Sequence, residues 1–497
     1  MSILLMPRAE EFAARTAIIA PEGEFSYRQL LDASARVASF LLNGAPDLQE
    51  RPVAFIAPPG FQYVALQWGI WRAGGIAVPL SLFHPRPELE YVLDDTTPAV
   101  VLAHADFADR VEPLAAARGL RFGLADAALK HPAGPLPAVA PERQAMILYT
   151  SGTTGKPKGV VSTHANIAAQ ITSLVEAWGW RRDDRILEVL PLHHIHGIVN
   201  VISCALWSGA VCEILSRFDA QEVWARLASG ELTLFMAVPT IYVKLIDAWE
   251  KAAPAERERM SAGCRRLRLM VSGSAALPVP ILEKWREISG HVLLERYGMT
   301  EIGMALSNSL QGQRYPGCVG QPLPGVEARL MDQGCPVPPG TPGEIEIRGP
   351  AVFREYWGKP EETRKSFRDG WFLTGDVAME ENGIYRILGR SSVDIIKTGG
   401  YKVSALEIEE VLLTHPGINE VAVVGVADPV WGERVVAALV PKNGASLDTK
   451  SLRAWGKERL ATYKVPQEAV ILKELPRNAM GKVSKPDLKK MIQAAQG

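Results

Sequence analysis

The sequence predicts an α/β fold in two parts. Residues 1–389 read as a large N-terminal domain of parallel sheets covered by helices, with a small β-rich portion at 310–389. Residues 390–497 read as a small α+β C-terminal domain. Three observations carry this. A chain of 497 residues exceeds what one compact core organises, so two or three domains are expected. Short β-branched runs alternate with amphipathic stretches, as in parallel strands joined by crossover helices. After about residue 310 the chain turns rich in Gly and Pro between brief strand runs, and near 390 it returns to strand and helix.

The elements follow in chain order. The opening "MSILLMPRAEEFAARTA" has a short apolar patch, then acids and Pro7. It lacks the basic start and long apolar core of a signal peptide and is too acidic for a transit peptide, so neither is expected. "VAFIA" (53–57), "AVVLA" (99–103), "LTLFMAV" (232–238) and "LRLMVS" (267–272) read as strands. "ANIAAQITSLVEAW" (165–178) and "PVPILEKWREIS" (278–289) read as helices. Thr163 suits the N-cap of the first, and Pro278 and Pro280 suit the first turn of the second. The apolar run Ile198–Ile214 is broken by Asn200, Ser203, Ser208 and Glu213. A bilayer span takes about 20 mostly apolar residues, so a buried helix followed by a strand is expected here. Toward the C-terminus, "INEVAVVGV", "RVVAALVPK" and "EAVILKEL" read as strands around a helix near 448–460.

Composition narrows the function classes. The net charge is −1, so no global basic field attracts nucleic acid or an anionic membrane. Cys204, Cys212, Cys264, Cys318 and Cys335 are odd in number, widely spaced and form no CxxC. Neither a disulfide framework nor a zinc site is expected, and a reducing cytoplasm fits.

"YTSGTTGKPKG" (149–159) follows the apolar run Met146–Leu148. Strand, Gly/Ser/Thr loop, strand and helix make a phosphate cradle. Glycines let backbone N–H groups approach an anion, hydroxyls add donors, and Lys156 and Lys158 add charge. The P-loop NTPase motif fails on spacing: Gly155-Lys156 is followed by Pro157, and Thr150 stands five residues before Gly155. By itself the run reads equally as a flexible surface loop. The motifs that accompany it decide the matter.

In order along the chain stand "ERYGMTE" (295–301), "GEIEIRGPAVFREYW" (343–357), "WFLTGD" (371–376), "ILGR" (387–390), "KTGGYKVSALEIE" (397–409) and "PRNAMGK" (476–482). With the 149–159 loop they resemble the adenylate-forming superfamily of acyl-CoA synthetases, peptide-synthetase adenylation domains and luciferases, over nearly the whole chain. The resemblance implies a mobile C-terminal domain and a reaction in which a carboxylate attacks the α-phosphate of ATP. It implies that Thr150, Ser151, Gly152, Thr153, Thr154, Gly155, Lys156 and Lys158 hold the outer phosphates. Ser274 and Ala275 join the nucleotide site. Glu301 would ligate Mg²⁺, Thr300 would donate to the α-phosphate, and Tyr297 would face adenine. Asp376 would take the ribose diol, with Arg390 also on the nucleotide. Lys482 would swing in for adenylation, and Gly399, Gly400 and Lys402 would line the tunnel for coenzyme A. Taken singly, Tyr297 reads as a core aromatic, Asp376 as a turn former and Lys482 as solvated surface. "GRSSVD" departs from the family by placing three residues between Arg390 and Asp394, which leaves Ser392 and Val393 as hinge candidates.

The acid is read from Arg296, where fatty acyl relatives carry a small or neutral residue. A guanidinium on a pocket floor needs a partner, and a second substrate carboxylate supplies one. Ser272, Ser274, His194 and His196 stand by as further donors. His193-His194-x-His196 lacks helical ligand spacing, so substrate contact or packing is expected rather than metal. Together these stretches resemble the malonyl-CoA and methylmalonyl-CoA synthetase branch. The choice between the two acids stays open, since one methyl group is worth only about 1–3 kcal/mol. Three other readings remain. The first is a monocarboxylate synthetase with Arg296 in an internal ion pair. The second is an enzyme loading a separate carrier protein, since no attachment motif follows Lys482. The third is a binding protein on the same fold, against which Glu301, Asp376, Arg390 and Lys482 speak.

Overall fold

A computed structural model describes residues 5–150, 157–399, 401–442, 445, 447–477 and 483–494, and the side chain of Lys402 lies outside the description. Ser151, Gly152, Thr153, Thr154, Gly155, Lys156, Gly400 and Lys482 therefore fall outside the described residues.

Two large sheets build the N-terminal part. The seven-stranded sheet has a parallel centre of Gln144–Thr150, Ile76–Pro79, Pro52–Ile56, Val100–Ala103 and Arg121–Leu124. Lys158–Thr163 runs back antiparallel to Gln144–Thr150, with Thr150 opposite Lys158. The nine-stranded sheet has six parallel strands: Thr16–Ala20, Val211–Ile214, Arg185–Glu188, Leu234–Ala237, Leu269–Ser272 and Leu294–Met299. Central strands such as Leu234–Ala237 and Leu269–Ser272 are buried throughout. Continuous apolar runs are what a sheet covered on both faces requires.

Helices cover these sheets. His164–Ala177 starts where the sequence places it: Thr163 accepts from Asn166 N, and Asn166 reaches back to Thr163 N, a capping box. Val279–Ser289 begins after Pro278 and ends at left-handed Gly290.

The apolar run from Ile198 is helix then strand. Its helix begins as a π-helix, His196–Ser203, continues as Cys204–Ser208, and stops at Gly209 with φ 76°. Ser203 Oγ donates to Ile198 O five residues back, which suits the wider turn. No helix among the described residues is long and apolar enough to cross a membrane.

The β-rich stretch after residue 310 serves three sheets. Gln321–Pro322 extends the nine-stranded sheet, and Glu355–Tyr356 pairs with Val160 and Val161 in the seven-stranded one. The remaining strands, from Glu327–Asp332 to Ile384–Arg390, form an antiparallel six-stranded sheet. Past Arg390, a five-stranded sheet carries helices Ala405–Leu412, Thr449–Lys457 and Lys485–Ala494, with a core on each face.

Thr163→Ala removes the acceptor of the capping box at the end of Lys158–Thr163. Its expected cost is about 1 kcal/mol of stability, read as a lower midpoint in urea unfolding.

Candidate active site

Four of the loops that carry candidate residues leave the carboxyl ends of parallel strands, where open α/β sheets bind ligands. Gln144–Thr150 feeds the glycine-rich loop, and Arg185–Glu188 feeds the histidine loop. Leu269–Ser272 feeds Gly273-Ser274-Ala275, and Leu294–Met299 feeds Thr300-Glu301.

The glycine-rich loop has anchored flanks. Tyr149 donates to Asp95 at 2.6 Å, and Tyr91 donates to Pro157 O at 2.8 Å. A Cβ at Gly159 would stand 2.8 Å from Ile147 Cγ2, so this return strand needs glycine. Lys158 pairs with Glu362 at 2.7 Å, and its ammonium lies 5.0 Å from the Tyr356 ring centre.

Thr300 and Glu301 occupy the turn between Leu294–Met299 and Gly303–Ser307, where Met299 faces Gly303. Glu301 is buried and accepts from the Tyr356 hydroxyl at 3.0 Å. Burial raises its pKa, while its hydrogen bonds and Arg390 oppose the rise. Tyr356 belongs to the motif at 343–357, but no sequence signal singled it out. Among the described residues no three His, Cys, Asp or Glu side chains converge on a metal site. One buried carboxylate, Glu301, still fits Mg²⁺, which takes one or two protein carboxylates and completes its shell with phosphate oxygens and water.

Tyr297, Asp376 and Arg390 form a chain. Tyr297 donates to Asp376 Oδ2 at 2.6 Å, and Arg390 Nε pairs with Asp376 Oδ1 at 2.8 Å. Both carboxylate oxygens are engaged, and each keeps a second lone pair for another donor. Burial raises the pKa of Asp376 and Arg390 opposes it. Arg390 N donates to Asp394 Oδ2 at 3.0 Å, and Asp394 Oδ1 binds Lys485 at 2.6 Å. Ser392 and Val393 lie within this turn, which Asp394 N closes onto Arg390 O at 2.7 Å. Gly399 is left-handed, and a Cβ there would stand 3.0 Å from the Trp431 ring.

Arg296 is 3% exposed, and no carboxylate among the described residues pairs with it. Glu295 is not its partner. It alternates to the other face of the strand, accepts from Gly317 N at 2.9 Å, and burial lifts its pKa to about 8. Arg296 Nη2 donates to Ser274 Oγ at 3.2 Å, while Nε and Nη1 have no acceptor. Burial lowers its pKa to about 9. A Cβ at Gly273 would stand 2.5 Å from the guanidinium carbon, so a larger residue there would push the guanidinium aside.

Ser274 adopts φ 67°, a strained backbone for a residue other than glycine. There its Oγ meets both Arg296 and His196 Nδ1, the latter at 3.3 Å. Ser274, grouped in the sequence both with the nucleotide residues and with the donors near Arg296, thus contacts the arginine. Ala275 beside it is exposed. Ser272 is fully buried, and its Oγ has no partner. His196 is buried with Nε2 unpartnered, and burial followed by Arg296 holds its pKa far below the usual range, so it is neutral. His194 is half-buried and packs against His193, with ring centres 4.1 Å apart and planes tilted by 46°.

An ATP-dependent enzyme that forms an adenylate is the class to which this fold and these side chains belong. The chain belongs to the AMP-binding enzyme family, whose model matches residues 6–357, with the family's C-terminal domain matching 407–482. It is an ATP-dependent, AMP-forming CoA ligase. The mitochondrial malonate–CoA ligase of Mus musculus is 48% identical, covering 99% of this chain and 91% of that protein. A malonate–CoA ligase of Arabidopsis thaliana is 39% identical, covering 96% and 86%. The crystal structure of ATP-bound MatB from Rhodopseudomonas palustris matches over 100% of both chains, with a TM-score of 0.92 and 34% identity.

A buried guanidinium without a carboxylate costs several kcal/mol in the ligand-free protein. Arg296→Met is expected to stabilise the ligand-free protein by about 1–4 kcal/mol, seen as a higher Tm at neutral pH. A lower Tm would mean that the arginine is satisfied internally.

Proposed function

We propose that this chain joins malonate, or methylmalonate, to coenzyme A. The carboxylate would attack the α-phosphorus of ATP to give malonyl-AMP and pyrophosphate. The thiol of coenzyme A would then attack the acyl carbon, AMP would leave, and malonyl-CoA would form. The observation that carries this reading is Arg296: a buried guanidinium, unmatched by any described carboxylate, behind the Gly273-Ser274 turn. A second carboxylate on the substrate matches it as a bidentate acceptor. Ser274 and His196 add neutral donors and His194 borders them, while Ser272, level with Glu295 in the register, lies on the other face of the sheet. The malonate–CoA ligases at 46–48% identity agree with that chemistry.

On this reading, residues 150–158 hold the outer phosphates and Thr300 donates to the α-phosphate. Glu301, oriented by Tyr356, holds Mg²⁺, which would neutralise phosphate charge. Asp376 takes the ribose diol while Tyr297 and Arg390 fix its carboxylate, and Tyr297 borders the adenine. Lys482 supplies positive charge to the α-phosphate. Gly399, Gly400 and Lys402 line the path of coenzyme A after the part beyond residue 389 reorients, with residues 391–393 as the swivel. The substrates are small molecules, a free carrier protein is the less favoured acceptor, and a reducing cytoplasm suits the five thiols.

The first test is AMP release with ATP, Mg²⁺ and coenzyme A across acetate, butyrate, octanoate, malonate, methylmalonate and succinate. Preference for malonate or methylmalonate is expected. Arg296→Met is expected to abolish diacid use while retaining any monocarboxylate use. Unchanged malonate turnover in that variant would sink the diacid reading.

Lys482→Ala is expected to slow malonate-dependent ATP–pyrophosphate exchange by about a hundredfold or more, the scale of losing one charge-stabilising donor. Thioester formation from supplied malonyl-AMP should stay within a few-fold. Equal loss of both half-reactions would remove the assigned role.

A further inference from the structure

Asn200 is fully buried, and neither its Nδ2 nor its Oδ1 has a hydrogen-bond partner. A buried primary amide with both ends unmatched is expensive, because each end loses water without replacement. Its position in the fold shows where the partner enters. Asn200 lies four residues after His196 in the π-helix His196–Ser203. Residues four apart lie on one side of a helix. His196 marks that side by its Nδ1 contact with Ser274 Oγ at 3.3 Å. The neighbouring side is marked by Gly197, where a Cβ would stand 2.9 Å from Leu192 and 3.2 Å from Glu188. Asn200 therefore shares the side that faces the Arg296 pocket.

The unmatched polar atoms on this side are mostly donors. Arg296 Nε and Nη1 are donors, and so is the Nδ2 amide of Asn200. Ser272, level with Glu295 in the register, lies on the opposite face from Arg296 and does not join this set. Neutral His196, with Nδ1 on Ser274, has Nε2–H left to give. One acceptor, Asn200 Oδ1, stands among them. Such a set suits an anion with two oxygens and several lone pairs, and matches no neutral alkyl tail.

The geometry points to Asn200 as a specificity-determining residue that touches the distal carboxylate of the substrate. Its Nδ2–H donates to a carboxylate oxygen beside the Arg296 guanidinium. Arg296, Ser274, His196 and Asn200 then surround the anion. This rests on the diacid reading above and deepens it. Arg296 supplies the charge, while Asn200 fixes the plane and depth of the carboxylate, hence which chain length between the two carboxylates fits.

The test uses the full chain with Asn200→Leu, which keeps the shape, and Asn200→Asp, which keeps shape and polarity but adds negative charge. Arg296→Met is the reference. KM and kcat are measured for malonate and ATP, together with the rise in Tm that malonate produces. Asn200→Leu is expected to raise the malonate KM about tenfold or more, the scale of one hydrogen bond to a charged group. Its kcat should stay within about threefold and its ATP KM should be unchanged. Asn200→Asp is expected to lose more, about a hundredfold, because its carboxylate competes for Arg296. In both variants the malonate-dependent Tm rise should shrink. A malonate KM within twofold of the parent in either variant would overturn the proposal, as would parallel losses for malonate and ATP. If Arg296→Met still loses malonate use in those cases, the diacid reading stands without Asn200. If Arg296→Met keeps it, both readings fall together.

Discussion

Much of the site hangs on the strand Leu294–Met299 and its two-residue period. Successive side chains must point to opposite faces. Arg296 therefore goes to one face, against Gly273 and Ser274. Glu295 and Tyr297 go to the other, toward Gly317 N and Asp376 respectively. The strand's own end carries Thr300 and Glu301 in its turn. One short strand thus positions the residues proposed for the acid, the nucleotide and the metal. A register slip of one residue would exchange these faces and destroy all three.

Charge burial divides the labour. Asp376 shares its charge with Arg390 at 2.8 Å, and Lys485 lies between Asp394 and Glu409 at 2.6 and 2.7 Å. Those ions are compensated inside the protein and hold the junction near residue 390 in shape. Arg296 is not compensated in this way. The contrast supports the recognition role proposed for Arg296, whose partner would come from the substrate. Preorganisation comes from the backbone: Gly273 makes room for the guanidinium, and the left-handed Ser274 directs one hydroxyl to two partners.

Junctions between the two parts are polar and few in kind. Arg386 meets Glu410 at 2.9 Å, and Ser404 Oγ donates to Leu388 O. The apolar cores of the C-terminal sheet stay within that sheet and its helices. A junction built this way can rearrange without exposing a large apolar face, as one site assembled for two half-reactions requires.

Local signals explain what the sequence by itself determined. The strands at 53–57 and 232–238, the helices at 165–178 and 278–289, and the Thr163 cap follow from periodicity and from hydroxyl or proline chemistry within four residues. The ordered motifs fixed the family in the same way, because each is contiguous in the chain. Only the tertiary structure decided which side chains meet across the chain. Tyr356 reaches Glu301 across 55 residues, Arg296 reaches Ser274 across 22, and Ser274 reaches His196 across 78. Gly273 looks like any turn glycine until the guanidinium is placed against it. Asn200 looks like a polar interruption of an apolar helix until its neighbours fail to satisfy it. Hydrogen bonding and burial depend on what surrounds an atom in space, and no local pattern encodes that.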